Sequence, residues 1–424
     1  MSDDPSSGEE GAPEGGPEST VRARALSWLD RLAEASATER LLISTSALVL
    51  SVVIGFFLVL AAGRMTTCDA AATTYLGVGF CYDPITVYDK LFLGAFGNLL
   101  ANPLNGQFAT TLSEATVLVF TGLAVAVAFR AGVFNIGGQG QMVLGALATA
   151  VIVFAVSPLV SGVVGTLLLV PFGLLVGAVV GGVYGAIPGA LKAYADANEV
   201  ITTIMLNFVA TSVALYLVQD HFKDPESFAN QTRTLPEYAL FPKLVFPERA
   251  SVSLYATAFA VVLALAIAYL LTRTSVGYDI RTSGLQPDAA EYGGVDAART
   301  VVTSMALSGA IAGLGGAVYA LMVLGNFQTG VPDYGFDGIT VSILAGNNPV
   351  GVLGAALLFG VLKSGSIVVD VSTSVPPELV GVLRGLIVLF VAMPEFFRMI
   401  GKRLNLGDGV DGRGPAATDG GESE

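Results

Sequence analysis

Long uncharged, apolar stretches recur along most of this chain, and they constrain its fold more than any other feature. A helix needs about 20 mostly apolar residues to cross the hydrocarbon of a bilayer. In this sequence 53% of the residues are hydrophobic and 13% are charged, whereas soluble domains average about 25% charged residues. These values argue against a water-soluble enzyme and predict an all-α, polytopic membrane protein. The predicted spans start from these apolar stretches: 41–62, 115–129, 141–160, 162–190, 201–219, 254–271, 301–325, 338–362 and 379–396.

The distribution of basic residues indicates the orientation and the parity of the spans. Four arginines lie within 22–40, and three basic residues lie within 398–403. Because cytoplasmic flanks of membrane helices are enriched in Lys and Arg, both termini are predicted to be cytoplasmic and the number of spans to be even. A turn signal and a proline at 345–351 divide the eighth stretch into a short span, 336–346, and a second one, 350–368. The total becomes about ten transmembrane helices, with eight or nine as the alternatives.

Glycine recurs at every fourth residue from 173 to 189. Residues at this spacing share one face of a helix, and small ones let two helix backbones approach closely. The stretch 162–190 is therefore predicted to be a tightly packed interior helix.

The segments that flank the membrane region have a different composition. Residues 1–20 and 401–424 are acidic and rich in Gly, Pro and Ser, so they cannot bury a core and are predicted to be disordered tails. Residues 21–40 place apolar side chains on one side and charges on the other, which predicts an interfacial amphipathic helix, with a solvated helical linker as the alternative. Acidic tails and more Arg than Lys suit a halophile, although a GC-rich genome would also favour Arg. Nucleic acid is not an expected partner.

Two long loops, 63–112 and 220–252, are predicted to lie outside the cell. Cys68 and Cys81 are both in the first loop, where an oxidising exterior permits a disulfide. Two unpaired small residues are the alternative. Asn230 begins a glycosylation sequon in the second loop; such sequons are frequent by chance, so its occupancy is left open.

The sequence contains no phosphate-binding loop G-x-x-x-x-G-K-[ST], no H-E-x-x-H and no C-x-x-C. One histidine and two cysteines leave little material for a metal site. We therefore predict no catalytic residue, no metal ligand and no cofactor bound by this chain. Charged residues within the spans are also scarce, which argues against an ion-coupled carrier without excluding it.

The segment 129–141, FRAGVFNIGGQGQ, is too rich in glycine to continue a helix easily. Irregular backbone at membrane depth is tolerated only where it faces protein or a water-filled cavity. One interpretation is a permeation-path element in which Asn135, Gln139 and Gln141 offer hydrogen bonds. The other is an ordinary cytoplasmic turn.

Four blocks in order carry a family resemblance. The first contains AGVFNIGGQGQ, and the blocks lie at 122–150, 187–210, 277–319 and 335–365. The chain resembles permease subunits of ABC importers for nucleosides and simple sugars, a family related to branched-chain amino acid permeases. It looks closest to the nucleoside subgroup, which usually has Glu where this chain has Gln139.

The resemblance implies a type II ABC importer-like permease domain over residues 41–400, working by alternating access in the cell membrane. It implies three partners: an ABC ATPase subunit that carries ATP and Mg²⁺, a second homologous permease, and an extracytoplasmic substrate-binding protein. The loop 272–300 and residues 192–200 would contact the ATPase, and charges inserted at Ala289 or Ala290 are expected to uncouple the complex without unfolding it. The predicted coupling residues are Asn198, Glu199, Gly284, Pro287, Ala289, Ala290 and Gly293.

Polar and aromatic residues within or beside the spans are the predicted contacts of the solute. The alternatives to a nucleoside or sugar importer are a branched-chain amino acid ABC permease and an ion-coupled secondary transporter that acts alone. The predicted path residues are Phe134, Asn135, Gln139, Asn207, Phe208, Asn326, Phe327, Gln328, Phe336 and Asp337.

Overall fold

The computed structural model describes residues 37–243, 245–246 and 250–405, and for 37–45 and 392–405 it gives the course of the backbone alone. This part of the chain is mainly helical, as predicted. A two-stranded antiparallel sheet pairs β1 (Thr73–Tyr75) with β2 (Val78–Phe80). The α-helices are α1 Ala37–Met65, α2 Pro84–Phe92, α3 Gly106–Arg130, α4 Gly138–Val156, α5 Gly162–Ala195, α6 Glu199–Leu217, α7 Leu254–Arg273, α8 Ser275–Leu285, α9 Pro287–Tyr292, α10 Ala297–Val318, α11 Tyr334–Leu344, α12 Pro349–Ser372 and α13 Pro377–Asn405. Short 3₁₀ segments occupy Ser157–Leu159 and Glu237–Ala239, and π-helical turns extend α6 and α10 through Val218–Phe222 and Tyr319–Leu324.

Eight helices within the described residues are long and apolar enough to cross a membrane. The predicted break in the eighth apolar stretch is present as the turn between α11 and α12. With 11 residues, α11 is about 16 Å long and covers roughly half of the hydrocarbon. The predicted short span is therefore a half-span, and the total of ten remains a prediction. The eight helices are Ser46–Met65, Gly106–Arg130, Gly138–Leu159, Gly162–Ala195, Glu199–Phe222, Leu254–Arg273, Ala297–Leu324 and Pro349–Ser372.

The predicted segments at the two ends of the chain fall largely outside the described residues. These segments are the tail 1–20, most of the amphipathic helix 21–40, and the second tail from residue 406 onward. At the C-terminal side, α13 continues through Asn405, past residue 400, where the membrane domain was predicted to end.

Helix α3 is the centre of the packing. Of its most apolar window 83% is buried, and the helix packs against α10, α11 and α12. Leu118, Phe120 and Leu123 are fully buried in the same core as Met305 and Val352. A helix that is apolar all round suits a buried position, and α3 is in contact with the helices that surround it.

The predicted glycine contact joins α5 to α10. A Cβ on Gly313 would meet the carbonyl oxygen of Gly177, and one on Gly185 would lie 2.9 Å from Cα of Gly309. Only glycine allows the two backbones to come this close. The opposite face of α5 is exposed, for example at Val179 and Val183. The prediction of close packing holds, but the helix is buried along one face and is not surrounded by protein.

The loop between α1 and α3 is folded rather than extended. A disulfide joins Cys68 to Cys81, with the two Cα atoms 5.8 Å apart. The backbone N–H of Cys81 donates to the carbonyl of Gly63 at 3.0 Å. Helix α2 buries Val87 and Leu91 and packs against α12. These contacts attach the loop to the end of α1 and to α12.

We expect Gly181→Val to destabilise the protein, because a Cβ there would lie 2.7 Å from Cα of Gly313 and would also meet the carbonyl of Gly309. Overpacking of this kind costs about 1–3 kcal/mol, seen as a lower melting temperature of the detergent-solubilised protein. Gly354→Val is the matched control, since nothing lies within 4 Å of a Cβ at that position of α12. Equal losses in the two variants would contradict the role of the glycine contact.

Candidate functional site

A cavity of about 460 Å³ lies between the first half of α4, the middle of α6 and the segment that leads into α11. This volume falls within the range of small-molecule sites, about 300–1,000 Å³. Five of the predicted path residues line it: Gln139, Asn207, Phe208, Phe327 and Phe336. The sequence analysis did not single out the other lining residues, which are Val143, Ile204, Thr211, Ala214, Leu215, Thr329, Gly330, Val331 and Asp333.

The glycine-rich segment after α3 is an irregular turn, and Asn135 holds it together. Its Nδ2 donates to Oε1 of Gln141 at 2.9 Å and to Oγ of Ser308 at 2.8 Å. Its Oδ1 accepts from the N–H of Gly137 at 3.0 Å and from Nε2 of Gln141 at 3.2 Å. Asn135 is buried and does not line the cavity. The hydrogen bonds of both residues are used within the protein, so the structure gives them a bracing role.

Gln139, one residue into α4, joins this helix to the segment that enters α11. Its Nε2 donates to the carbonyls of Val331, at 3.3 Å, and Pro332, at 3.0 Å. Its Oε1 accepts from the N–H of Gly335 at 2.8 Å. One amide thus satisfies backbone groups on both sides of the start of a half-span helix. Only a side chain with both a donor and an acceptor can do this.

Asn207 ties α6 to the beginning of α4. Its Oδ1 accepts from the N–H of Gly140 at 2.8 Å, and its Nδ2 donates to the carbonyl of Ile136 at 2.9 Å. The first amides of a helix have no partner within the helix, so this contact satisfies one of them. It also fixes the wall of the cavity, because Thr211 follows Asn207 by one helical turn and lines the same space.

The wall opposite α6 is an extended segment, 325–329, held by the long loop after α6. Thr232 donates its N–H to the carbonyl of Phe327 at 2.8 Å and accepts the N–H of Phe327 on Oγ1 at 3.0 Å. The N–H of Thr329 donates to the carbonyl of Asn230 at 3.0 Å. Phe327 and Thr329 face the cavity. Asn326 and Gln328 belong to the same segment but do not line the cavity.

Asp337 and Phe134 also lie away from the cavity lining. The carboxylate of Asp337 is paired with Nζ of Lys363 at 2.9 Å, and the same ammonium lies 3.8 Å from Glu114. Lys363 also lies 4.0 Å from the ring centroid of Tyr334. This ionic cluster joins α11 to α3 and α12. The ring of Phe134 packs instead on Phe129, with 4.4 Å between centroids.

The predicted coupling loop forms α8 and α9 at the end of α3 that carries Arg130. A Cβ on Gly284 would lie 2.8 Å from the carbonyl carbon of Ala131, so α8 packs on the turn that follows α3. Pro287 begins α9 and Gly293 follows it, and Ala289 is exposed. Ala290 is only 1% exposed. The expectation that a charge at Ala290 would leave the fold intact is therefore wrong, because an unpaired charge there would be buried.

The second predicted contact, Asn198 and Glu199, begins α6. Oδ1 of Asn198 accepts the N–H groups of Val200 and Ile201 at 3.0 and 3.1 Å, as a helix N-cap does. Glu199 lies 3.4 Å from the ammonium of Lys192. Both side chains have local structural partners, and their contact with an ATPase remains a prediction.

The fold and the cavity define a class: a polytopic helical membrane protein with a solute-sized space beside a half-span helix. Residues 107–392 match the family described as the branched-chain amino acid transport system / permease component. The chain belongs to this family and is a permease subunit of the ABC importer type. No solved structure matches it significantly.

Named relatives cover most of the chain. It is 33% identical over 326 residues to the nucleoside ABC transporter permease protein NupB of Lactococcus lactis subsp. cremoris, covering 74% of this chain and 85% of the relative. It is 31% identical over 327 residues to the guanosine ABC transporter permease protein NupP of Bacillus subtilis, covering 75% and 88%. It is 33% identical over 343 residues to the glucose ABC transporter permease protein TsgB13 of Haloferax volcanii, covering 78% and 87%.

We expect Gln139→Glu to weaken the wall of the cavity. An ionised carboxylate accepts the N–H of Gly335 but cannot donate to the carbonyls of Val331 and Pro332. Loss of these bonds should lower the free energy of unfolding by about 1–3 kcal/mol, measured as a lower melting temperature. Gln107→Glu is the matched control, because Gln107 is exposed at the start of α3. A melting temperature of Gln139→Glu equal to that of the control would show that the amide bridge contributes nothing.

Proposed function

We propose that this chain imports nucleosides, with simple sugars as the second candidate class, as one of two permease subunits driven by a separate ATPase. The observation that carries the proposal is the composition of the cavity. The exposed aromatic residues Phe208 and Phe336 border the same space as Thr211 and Thr329. Such a lining suits a solute with a flat apolar ring and several hydroxyl groups. The printed names of the relatives, which include nucleoside, guanosine and glucose permeases, support the same two classes.

The charge of the lining argues against the amino acid alternative. Among the described residues that line the cavity, the charged one is Asp333, and none is basic. An amino acid could pair its ammonium with Asp333, but its carboxylate, like the phosphate of a phosphorylated solute, would find no cation in this lining. Buried or confined anions are costly without such a partner. A neutral solute therefore fits this space better.

The ATPase would dock on the end of the protein that carries α8 and α9, and its conformational change would be transmitted from there. Leu285, the last residue of α8, and Tyr292, the last residue of α9, are 83% and 96% exposed, as expected for groups that dock into a partner. Gly284 packs on the turn after Arg130, and Nε of Arg130 donates to the carbonyl of Asn347 at 3.0 Å. Movement of the docked ATPase would thus reach both the start of α4 and the turn that ends α11. This is the basis of the proposed alternating access.

The substrate-binding protein would dock at the opposite end of the protein. The long loops 63–105 and 220–252 would receive the substrate-binding protein outside the cell, with both termini of the chain inside. The loop after α6 contacts the cavity wall directly through Thr232 and Asn230. Docking on this loop would therefore act on the segment that contains Phe327 and Thr329. ATP and Mg²⁺ belong to the ATPase in this scheme.

Ala289→Glu tests the docking surface. Since Ala289 is exposed, the variant should keep the melting temperature of the parent protein. It should lose co-purification with the ATPase and lower ATP-driven uptake by about tenfold or more, because an unpaired charge in an interface is strongly unfavourable. Ser374→Glu, exposed in the turn between α12 and α13 and outside both proposed docking surfaces, is the control. Full uptake by Ala289→Glu would mean that α9 is not the coupling helix.

Uptake of labelled adenosine, uridine, ribose and leucine by cells with and without this gene tests the proposal itself. We expect the deletion to abolish uptake of the two nucleosides and to spare leucine. Loss of ribose uptake alone would assign the protein to the sugar class, and loss of leucine uptake alone to the amino acid class. Ion-driven transport by the purified chain in liposomes, without an ATPase, would contradict the ABC scheme.

A further inference from the structure

Asp333 lines the cavity, and its carboxylate has no hydrogen-bond or ion-pair partner among the described residues. It immediately precedes α11, where an Asp commonly accepts hydrogen bonds from the first amides of a helix. Its side chain makes no such cap bond, and it has no ion pair with any described residue. The residue is exposed and lines the cavity. Its two carboxylate oxygens are therefore available to a solute.

The backbone around Asp333 is fixed on both sides. The carbonyl of Pro332 and the N–H of Gly335 are both bonded to the amide of Gln139, at 3.0 and 2.8 Å. Tyr334 is 3% exposed, and its N–H donates to the carbonyl of Pro332 at 2.7 Å. A group held in this way loses little freedom when a ligand binds, which favours binding. This rigidity separates Asp333 from the charged residues of flexible surface loops.

The chemistry of the group points to donors on the solute. An ionised carboxylate only accepts hydrogen bonds, and its two oxygens can accept two neighbouring O–H groups. The ring of Phe336, 40% exposed, and that of Phe208, 66% exposed, border the same cavity. A nucleoside would place hydroxyls against the carboxylate and its base against these rings. Hydroxyl pairs are also the feature that nucleosides share with simple sugars.

We propose that Asp333 binds the vicinal hydroxyl groups of the sugar ring during translocation and that it is a specificity-determining residue of the path. This inference rests on the proposed function, because it takes the cavity as the route of the solute. It assigns recognition of the sugar to the start of α11 and leaves the base to apolar contacts.

The test compares adenosine with 2′,3′-dideoxyadenosine, which lacks both hydroxyls. Initial uptake rates are measured in cells that express the complete transporter with either Asp333 or Asp333→Asn, at equal amounts of folded protein. We expect the substitution to lower adenosine uptake by about tenfold, because hydrogen bonds to charged groups are stronger than neutral ones. Uptake of the dideoxy compound should change by less than about twofold, since it makes no such bond. Both strains contain the same binding protein. For each solute, its contribution therefore cancels when the rate of the Asp333→Asn strain is divided by that of the parent strain.

An equal loss of uptake of both solutes would overturn the inference, because it would indicate a structural role of Asp333. Unchanged uptake of both solutes would overturn it as well, because Asp333 would then have no role in transport. Asp370→Asn removes an exposed acid near the end of α12, outside the cavity lining and both long loops, and should alter neither rate. If the unmodified transporter carries ribose but no nucleoside, ribose and 2-deoxyribose replace the pair with the same expected ratio. If it carries none of these solutes, the proposed function fails, and the inference fails with it.

Discussion

The polar backbone that leaves a helix within a membrane must find its hydrogen-bond partners in the protein, and three side-chain amides meet that requirement here. Asn135 satisfies the turn after α3, Gln139 the segment that enters α11, and Asn207 the start of α4. Without them the two irregular segments would expose unpaired groups to an apolar medium. The cavity exists because these amides hold both segments open against α6.

The remaining helix contacts support the elements that surround the cavity. Helix α3 is buried on all sides and supports α11 and α12, while the ionic cluster around Lys363 joins these elements where α11 begins. The glycine contact lets α5 and α10 pack closely. At one end the paired segment 325–329 links the cavity to a long loop, and at the other Gly284 links it to α8. The loop after α6 therefore contacts the cavity wall directly, and α8 contacts the turn that leads into α4.

Much of this fold could be predicted from the hydropathy of the sequence, because crossing a membrane demands long apolar helices. The break before Pro349 was also predictable, since proline and glycine end helices. The length of α11 was predictable too, since the predicted short span 336–346 is as long as the observed helix Tyr334–Leu344. The burial of Ala290 beside an exposed Ala289 was not, because it depends on the packing of a short helix, which composition does not report.

The site was predictable only in part. Polar residues near spans were singled out correctly as unusual, but the sequence does not distinguish an amide that faces a solute from one that braces backbone. Asn135 and Asp337 lie in patterns that resemble path residues, yet their partners are Gln141 and Lys363. Thr211 could have been found from its spacing of four residues after Asn207. Asp333 carried a weaker signal, an acid between a proline and the start of a helix.

The central claim is that the space between α4, α6 and residues 327–336 is the path of the solute. Its most direct test is the rate at which a water-soluble thiol reagent modifies Thr211→Cys in the assembled transporter, with and without saturating nucleoside. The account predicts slower modification when the nucleoside is present, and no such protection for Ser374→Cys, which is exposed in the turn between α12 and α13 and does not line the cavity. Equal rates at Thr211→Cys, in a transporter that still imports the nucleoside, would place the path elsewhere.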